Sequence, residues 1–435
     1  MNYRKEIDGL RAIAVTSVIL AHAGFSWING GFIGVDVFFV ISGYLITGIL
    51  LTELQAGNFS FAKFYERRAR RILPALFCVL ICCLPFAGWL MLPDQLEGFA
   101  ASLLRVIAFI PNFWFRSQTG YFAPSAEEMP LLHTWSLGVE EQFYLFFPLV
   151  LLLLWRWTRR SAREVADERS SPLQENIASG CRGDLWSPVL PNGITGERRS
   201  SVSMNRRRVW VITAVILIIA LWSLGYADHK SWRYSDKVFF TTTARIWELF
   251  FGALAAIYHM HWRKRAPKRW LAESGALFGL ACIVLACLYF KTGMRFPGRY
   301  ALLPTVGALG VILFATPQTL VGRLLASKPL VGIGLISYSA YLWHQPVFAF
   351  ARLAEQSEFS IPALTSGVFV CLCLLSFVLA YLSWRFVEQP FRNRQFLRRN
   401  HIFILSVVGG GIDSIYRAVG GTGRRVARPI FARGA

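Results

Sequence analysis

Ionisable side chains inside long apolar stretches are costly to hold there, so their types and spacing are the first guide to chemistry. Arg11 and His22 occupy one such stretch, eleven positions apart. At the helical rise this is about 16 Å and close to three full turns, so the two share a face at different depths. An imidazole suits proton transfer near neutrality, which makes His22 a candidate general base toward an incoming hydroxyl. A base of this kind needs an acidic or carbonyl partner. Glu140 and Glu141 supply carboxylates at a matching depth, in His133-Thr134-Trp135-Ser136-Leu137-Gly138-Val139-Glu140-Glu141-Gln142-Phe143-Tyr144. A cap near a helix start accounts for acidic residues beside Ser136, but Glu140 lies deeper in apolar sequence than a cap requires. The blander alternative for the first helix is a snorkelling arginine and a histidine bonded to a neighbouring helix.

A second kind of chemistry is suggested by Arg67-Arg68-Ala69-Arg70-Arg71-Ile72-Leu73-Pro74. Arginine forks grip phosphates bidentately, and a helix N-terminus adds partial positive charge, so the run is either a phosphate clamp or a plain anchor on the positive side of a membrane. Pro74 fits the first turn of a helix starting near residue 72. Arg245 and Glu248, three apart, are expected to pair on one helix face. His344, in Ser337-Tyr338-Ser339-Ala340-Tyr341-Leu342-Trp343-His344-Gln345-Pro346, adds a polar cluster that an interfacial aromatic belt with a proline kink also explains. Seven of the eight cysteines sit in apolar runs, Cys181 being the exception, with neither a disulfide framework nor metal spacing, so no metal site is expected.

The elements that position these groups follow from composition. The 435 residues are 54% hydrophobic and 16% charged, with 15 Trp, 14 Tyr and 35 Phe, which marks a polytopic, all-α membrane protein. The net charge of +21 then belongs to loops facing anionic lipid rather than to a nucleic-acid surface. Apolar runs of spanning length predict about ten transmembrane helices, near 9–27, 34–54, 72–91, 137–155, 209–225, 238–258, 273–290, 300–317, 329–350 and 361–383. The run 99–115, with Arg105 at its middle, is expected to be re-entrant or interfacial. The basic loops after the second, fourth, sixth and last spans then share one side, which puts both termini in the cytoplasm and Arg11 at the cytoplasmic end of its helix. A small-residue site at Ala21-His22-Ala23 mimics signal-peptide cleavage, but Arg11 and the acidic flank favour a retained first helix.

Two segments depart from this plan. Residues 161–205 are polar and aperiodic, predicting a disordered cytoplasmic loop, with Arg182-Gly183-Asp184 in it as a chance tripeptide. Residues 395–435 form a basic tail in which an apolar start, Ile402 to Val408, gives way to Gly409-Gly410-Gly411, as if an extra helix were begun and truncated. The membrane domain is therefore 1–394.

Taken together the motifs resemble acyltransferase family 3, the membrane acyltransferases that include O-antigen and other polysaccharide O-acetylases. The resemblance runs from Tyr3 to about Arg394. It rests on Glu6-Ile7-Asp8-Gly9-Leu10-Arg11 with His22, on Gly34-Val35-Asp36-Val37-Phe38-Phe39-Val40-Ile41-Ser42-Gly43-Tyr44, on the arginine run, on the His133 to Tyr144 and Ile336 to Pro346 stretches, and on Val387-Glu388-Gln389-Pro390-Phe391-Arg392. It implies an acyl-CoA donor, usually acetyl-CoA, bound from the cytoplasm, and a carbohydrate or glycolipid acceptor, such as lipopolysaccharide O-antigen, on the far side of a multi-pass inner-membrane protein. In the family pattern Arg11 and His22 match the catalytic positions, Arg68 and Arg71 those that meet the donor's phosphates, and Glu140 a functional carboxylate. Polar residues at mid-depth also suit a multispan transporter, although no inverted repeat links the halves, and the altered tail also suits an inactive family member.

Overall fold

The computed structural model describes residues 3–119, 125–170, 206–263, 266–291, 293–356 and 365–392. Among them the chain is all-helical. In order the helices are α1 (Lys5–His22), α2 (Gly34–Gln55), α3 (Phe61–Leu90), α4 (Pro93–Ile107), α5 (Pro111–Ser117), α6 (Thr134–Ser170), α7 (Arg206–Phe239), α8 (Thr242–Ile257), α9 (Arg269–Tyr289), α10 (Leu302–Phe314), α11 (Leu320–Leu325), α12 (Lys328–Gln356), α13 (Ser366–Ser383) and α14 (Gln389–Arg392). Single π turns, Tyr258–Trp262 and Trp384–Glu388, follow α8 and α13.

Six helical segments of the described residues are long and apolar enough to cross a membrane: Ser26–Gln55, Phe61–Leu90, Thr134–Thr158, Arg206–Phe239, Arg269–Tyr289 and Ser366–Arg392. Arg299–Phe314 is a shorter apolar helix. The helices outside this group include those that carry most of the interesting residues. α1 opens with Lys5, Glu6, Asp8 and Arg11, and α8 has only 16 residues, among them Arg245 and Glu248. α12 threads Ser337, Ser339, His344 and Gln345 through its length, all buried. Their polar groups are shielded by neighbouring helices instead of lipid: α1 packs between α12 and α2, and α2 packs along α8.

Close backbone approach makes this centre compact. A Cβ on Gly43 would lie 1.8 Å from the Leu249 carbonyl oxygen, and one on Gly252 would lie 2.0 Å from that of Val40, so α2 and α8 meet backbone to backbone. Small residues are what allow helices to associate where lipid removes the hydrophobic drive between them.

Three sequence expectations change. α3 begins at Phe61 and not near residue 72, because the amphipathic arginine run continues the helix downward, so Pro74 is an interior residue. The run 99–115 is broken into α4 and α5 around Phe109, whose φ of +56° interrupts the helical backbone. The helix α6 continues through Ser170 past the polar change at Ser161. Residues 171–205, with Arg182-Gly183-Asp184, and the tail from 393 lie outside the described residues.

Candidate active site

A cavity of about 100 Å³ opens among α1, α2, α3, α6 and α12. Arg11, Arg68, Arg71 and Glu140 all line it, with Ser42, Tyr144, Ser136 and Tyr341. The local geometry of α3 explains which arginines take part. Arg67 is paired with Glu53 at 2.6 Å and Arg70 with Glu66 at 3.0 Å. Arg68 and Arg71, three apart on another face of the helix, have no ion pair among the described residues and turn toward the cavity. The Arg68 guanidinium lies 4.6 Å from the centroid of the Tyr144 ring, a cation–π contact that fixes its height. Arg11 is held 3.2 Å from Asp8, itself the acceptor of a 2.7 Å bond from the Tyr3 hydroxyl.

Glu140 faces the arginines from α6. Ser42 donates to its Oε1 at 3.0 Å and Tyr144 to its Oε2 at 3.1 Å, so both oxygens are fixed. One end of the cavity is thus cationic, with a single clamped carboxylate in its wall.

Two hydroxyls, those of Ser136 and Tyr341, also line the cavity. Tyr341 donates to the His133 carbonyl oxygen at 3.0 Å, and its hydroxyl lies 2.7 Å from that of Ser136. Behind Tyr341 stand three imidazoles. The His344 ring is 5.2 Å from that of His22 and 5.3 Å from that of His133, edge-on to both, and the Tyr341 ring is within 5.4 Å of His133 and His344. His22 Nδ1 lies 2.9 Å from the Val18 carbonyl oxygen and His344 Nδ1 2.6 Å from that of Tyr341. A carbonyl only accepts, so each Nδ1 carries the proton and each Nε2 is left with its lone pair. Among the described residues the buried His344 Nε2 and both ring nitrogens of His133 have no hydrogen-bond partner. Among the described residues no group of His, Cys, Asp and Glu could hold a metal ion.

The frame around this centre is equally specific. Arg352 donates to the His22 carbonyl oxygen at 2.8 Å and pairs with Glu127 at 3.1 Å, tying the end of α1 to α12 and to the segment before α6. Beneath Trp135, Arg245 reaches Asp36 and Glu248 at 2.8 Å each, with all three side chains fully buried. Phe39, Trp135, Phe239 and Phe296 surround its guanidinium, their centroids 4.9–5.8 Å away. The expected Arg245–Glu248 pair is therefore a triad that ties α2 to α8.

Four of the five residues singled out from sequence thus share one cavity, and His22 stands outside its lining, linked to Tyr341 through the His344 ring. Sequence reasoning missed Asp36, Ser42, Tyr341 and the ring of His133 as contributors. Asp36 had a readable signal, a carboxylate within an apolar span. The others become visible only when α2, α6 and α12 are brought together.

Residues 4–163 and 201–385 match the family described as Acyltransferase domain. O-acetyltransferase OatA of Staphylococcus aureus strain NCTC 8325 is 31% identical over 409 residues, 91% of this chain and 58% of the relative. The OatA of strain COL matches to the same extent. The chain spans less than two thirds of the length of these curated relatives. No solved structure matches it. With most of its length matched and its arginine-lined cavity running toward a histidine cluster, the chain belongs to the acyltransferase-domain family.

Proposed function

We propose that this chain is a membrane O-acyltransferase that takes an acyl group, most simply acetyl, from cytoplasmic acyl-CoA and passes it to a carbohydrate hydroxyl at the opposite face. The observation that carries this reading is one cavity lined both by Arg68 and Arg71, which have no ion pair among the described residues, and by Tyr341, whose ring packs on those of His133 and His344 next to His22. The likeness to O-acetyltransferases supports acetyl as the group.

Orientation is part of the proposal: ten spans, both termini cytoplasmic, in a cell's inner membrane. It draws support from how the basic residues gather. Arg4 and Arg263 both bond to carbonyls at the end of α10, Arg67 meets the end of α2, and Arg392 pairs with Glu388 near the foot of α3. One end of the bundle thus collects the arginines that anionic inner-leaflet lipid attracts.

The residues divide the work. Arg68 and Arg71 grip the donor's phosphates, and Arg11 adds positive charge deeper in the same cavity. The acyl thioester lies toward Ser136 and Tyr341, whose hydroxyls exchange their hydrogen bonds to the His133 carbonyl oxygen for bonds to the developing oxyanion. An acceptor hydroxyl arrives from the histidine side, and His22 Nε2 takes its proton as the oxygen attacks the thioester carbonyl. Collapse of the tetrahedral adduct breaks the carbon–sulfur bond, and the imidazolium returns the proton to the leaving thiolate. The products are the sugar ester and the free thiol, with atoms and charge balanced. His344 and His133, buried beside His22, position its ring and keep its surroundings poor in water. Glu140, held by Ser42 and Tyr144, orients the cationic wall.

Reconstitution into sealed liposomes tests the reading, with labelled acetyl-CoA on one side and an oligosaccharide on the other. The expected result is labelled ester on the oligosaccharide with one thiol released per ester. Intact donor, or free acetate without sugar ester, would refute it.

A further inference from the structure

At the histidine end of the bundle a second cavity, of about 130 Å³, lies between α4, α5 and residues 128–131. That is some tenfold more than the ~10–15 Å³ one water needs on the same measure, so it is sized for a ligand rather than for solvent. Its walls mix two chemistries. Trp114, Phe115 and Met129 give apolar faces, and Asp94, Gln118 and Glu128 give hydrogen-bonding groups.

Those groups are poised. The Trp114 ring is held by the Arg105 guanidinium, 4.2 Å from its centroid. Gln95, also in the wall, spends its side-chain oxygen on the Leu92 amide at 3.0 Å, which leaves its NH₂ to donate. Glu128 accepts from Gln356 at 3.0 Å through Oε1, leaving Oε2. Among the described residues no Lys or Arg lines the cavity, which disfavours a phosphate or sulfate, and the two carboxylates disfavour a lipid tail. Aromatic faces with carboxylate and amide acceptors and donors match the apolar C–H faces and the hydroxyl edge of an uncharged sugar ring.

The position fits as well. The Met129 carbonyl accepts from Gln345 at 3.1 Å, and Gln345 directly follows His344. Leu131, a wall residue, is two positions before His133. One thin segment, 129–131, therefore has this cavity on one side and leads directly into the imidazole cluster.

We propose that the cavity between α4, α5 and residues 128–131 is a subsite that holds an uncharged sugar ring of the acceptor, with Trp114 as platform and Asp94, Gln118 and Glu128 as hydroxyl partners. This rests on the acyl-transfer reading for its role, but its occupancy is measured without chemistry. Saturation-transfer NMR on the protein in nanodiscs, with methyl glucoside and chitobiose as probes, should show ring-proton signals for the unaltered chain and for His22→Ala. The signals should fall at least fivefold in Trp114→Ala and in Asp94→Asn and return in Trp114→Tyr, which keeps a platform and so separates loss of binding from loss of fold. Unchanged signals in both Trp114→Ala and Asp94→Asn would overturn the proposal, as would the absence of sugar signals beside strong ones from octanol. Sugar signals without any acyl transfer would support the subsite while refuting the reaction. Acyl transfer with an unaltered acceptor KM in Trp114→Ala would do the reverse.

Discussion

Replacing Arg71 or Arg68 by glutamine isolates the donor side of the account. Both guanidinia line the cavity without an ion pair among the described residues, so each is free to meet a phosphate. A hydrogen bond to a charged group is worth about 1.5–3 kcal/mol, and each 1.4 kcal/mol is a factor of ten, so each substitution should raise the acyl-CoA KM by roughly 10- to 140-fold. The assay is thiol release against donor concentration, repeated with acyl-pantetheine, which keeps the thioester and lacks the phosphates. The altered chains should handle acyl-pantetheine as the unaltered chain does, because the lost contacts are phosphate contacts. Arg67→Gln serves as the control: its partner Glu53 is already 2.6 Å away and the pair is partly exposed, so the donor KM should move by no more than about twofold. The reasoning is refuted if Arg67→Gln and Arg71→Gln raise KM equally, or if the penalty persists with acyl-pantetheine.

Other expectations are independent of that one. Arg245→Leu leaves Asp36 and Glu248 buried with no cation, a loss of about 3–5 kcal/mol, so the thermal midpoint should fall steeply, and replacing all three residues with leucine should recover part of the loss. His259, in the π turn beyond α8, accepts from Arg263 at 2.8 Å and meets the Tyr44 hydroxyl at 3.2 Å. Burial, with Arg4 and Arg263 nearby, pushes its pKa down to about 4. The unfolded ring therefore takes up its proton first as pH falls, so this site's contribution to stability is full above about pH 6.5 and is lost toward pH 4. Melting curves at pH 7 and 5 should show that loss, and His259→Gln should flatten it. Because His344 acts through His22, His344→Ala should lower kcat with little change in either KM, and His344→Gln, which keeps a group on the Tyr341 carbonyl, should restore part of the rate.

The helical class was legible because apolar runs of spanning length need no tertiary context to be recognised. The helix count was less so: α1, α8 and α12 carry their charges and hydroxyls inward, so their composition understates their burial. Pro74 misled for a local reason, since an amphipathic arginine turn extends α3 beyond the apolar run that sequence alone delimits. At the site, Arg68 and Arg71 were separable from Arg67 and Arg70 by a resemblance, and the structure adds the physical ground, namely the carboxylates that occupy the other two. The Tyr341–Ser136 junction and the His133 ring were out of reach. They depend on the meeting of α6 with α12, some 200 positions apart in sequence, and no periodicity encodes that pairing.

His22, in the imidazole cluster beside the arginine-lined cavity, takes the proton from the acceptor hydroxyl in the proposed reaction. The most direct test is the initial rate of labelled acetyl transfer onto an oligosaccharide by the unaltered chain and by His22→Ala, at matched amounts of folded protein in sealed liposomes. General-base catalysis predicts a fall of about 10²- to 10⁴-fold with donor KM unchanged. Equal rates for the two chains would contradict the account.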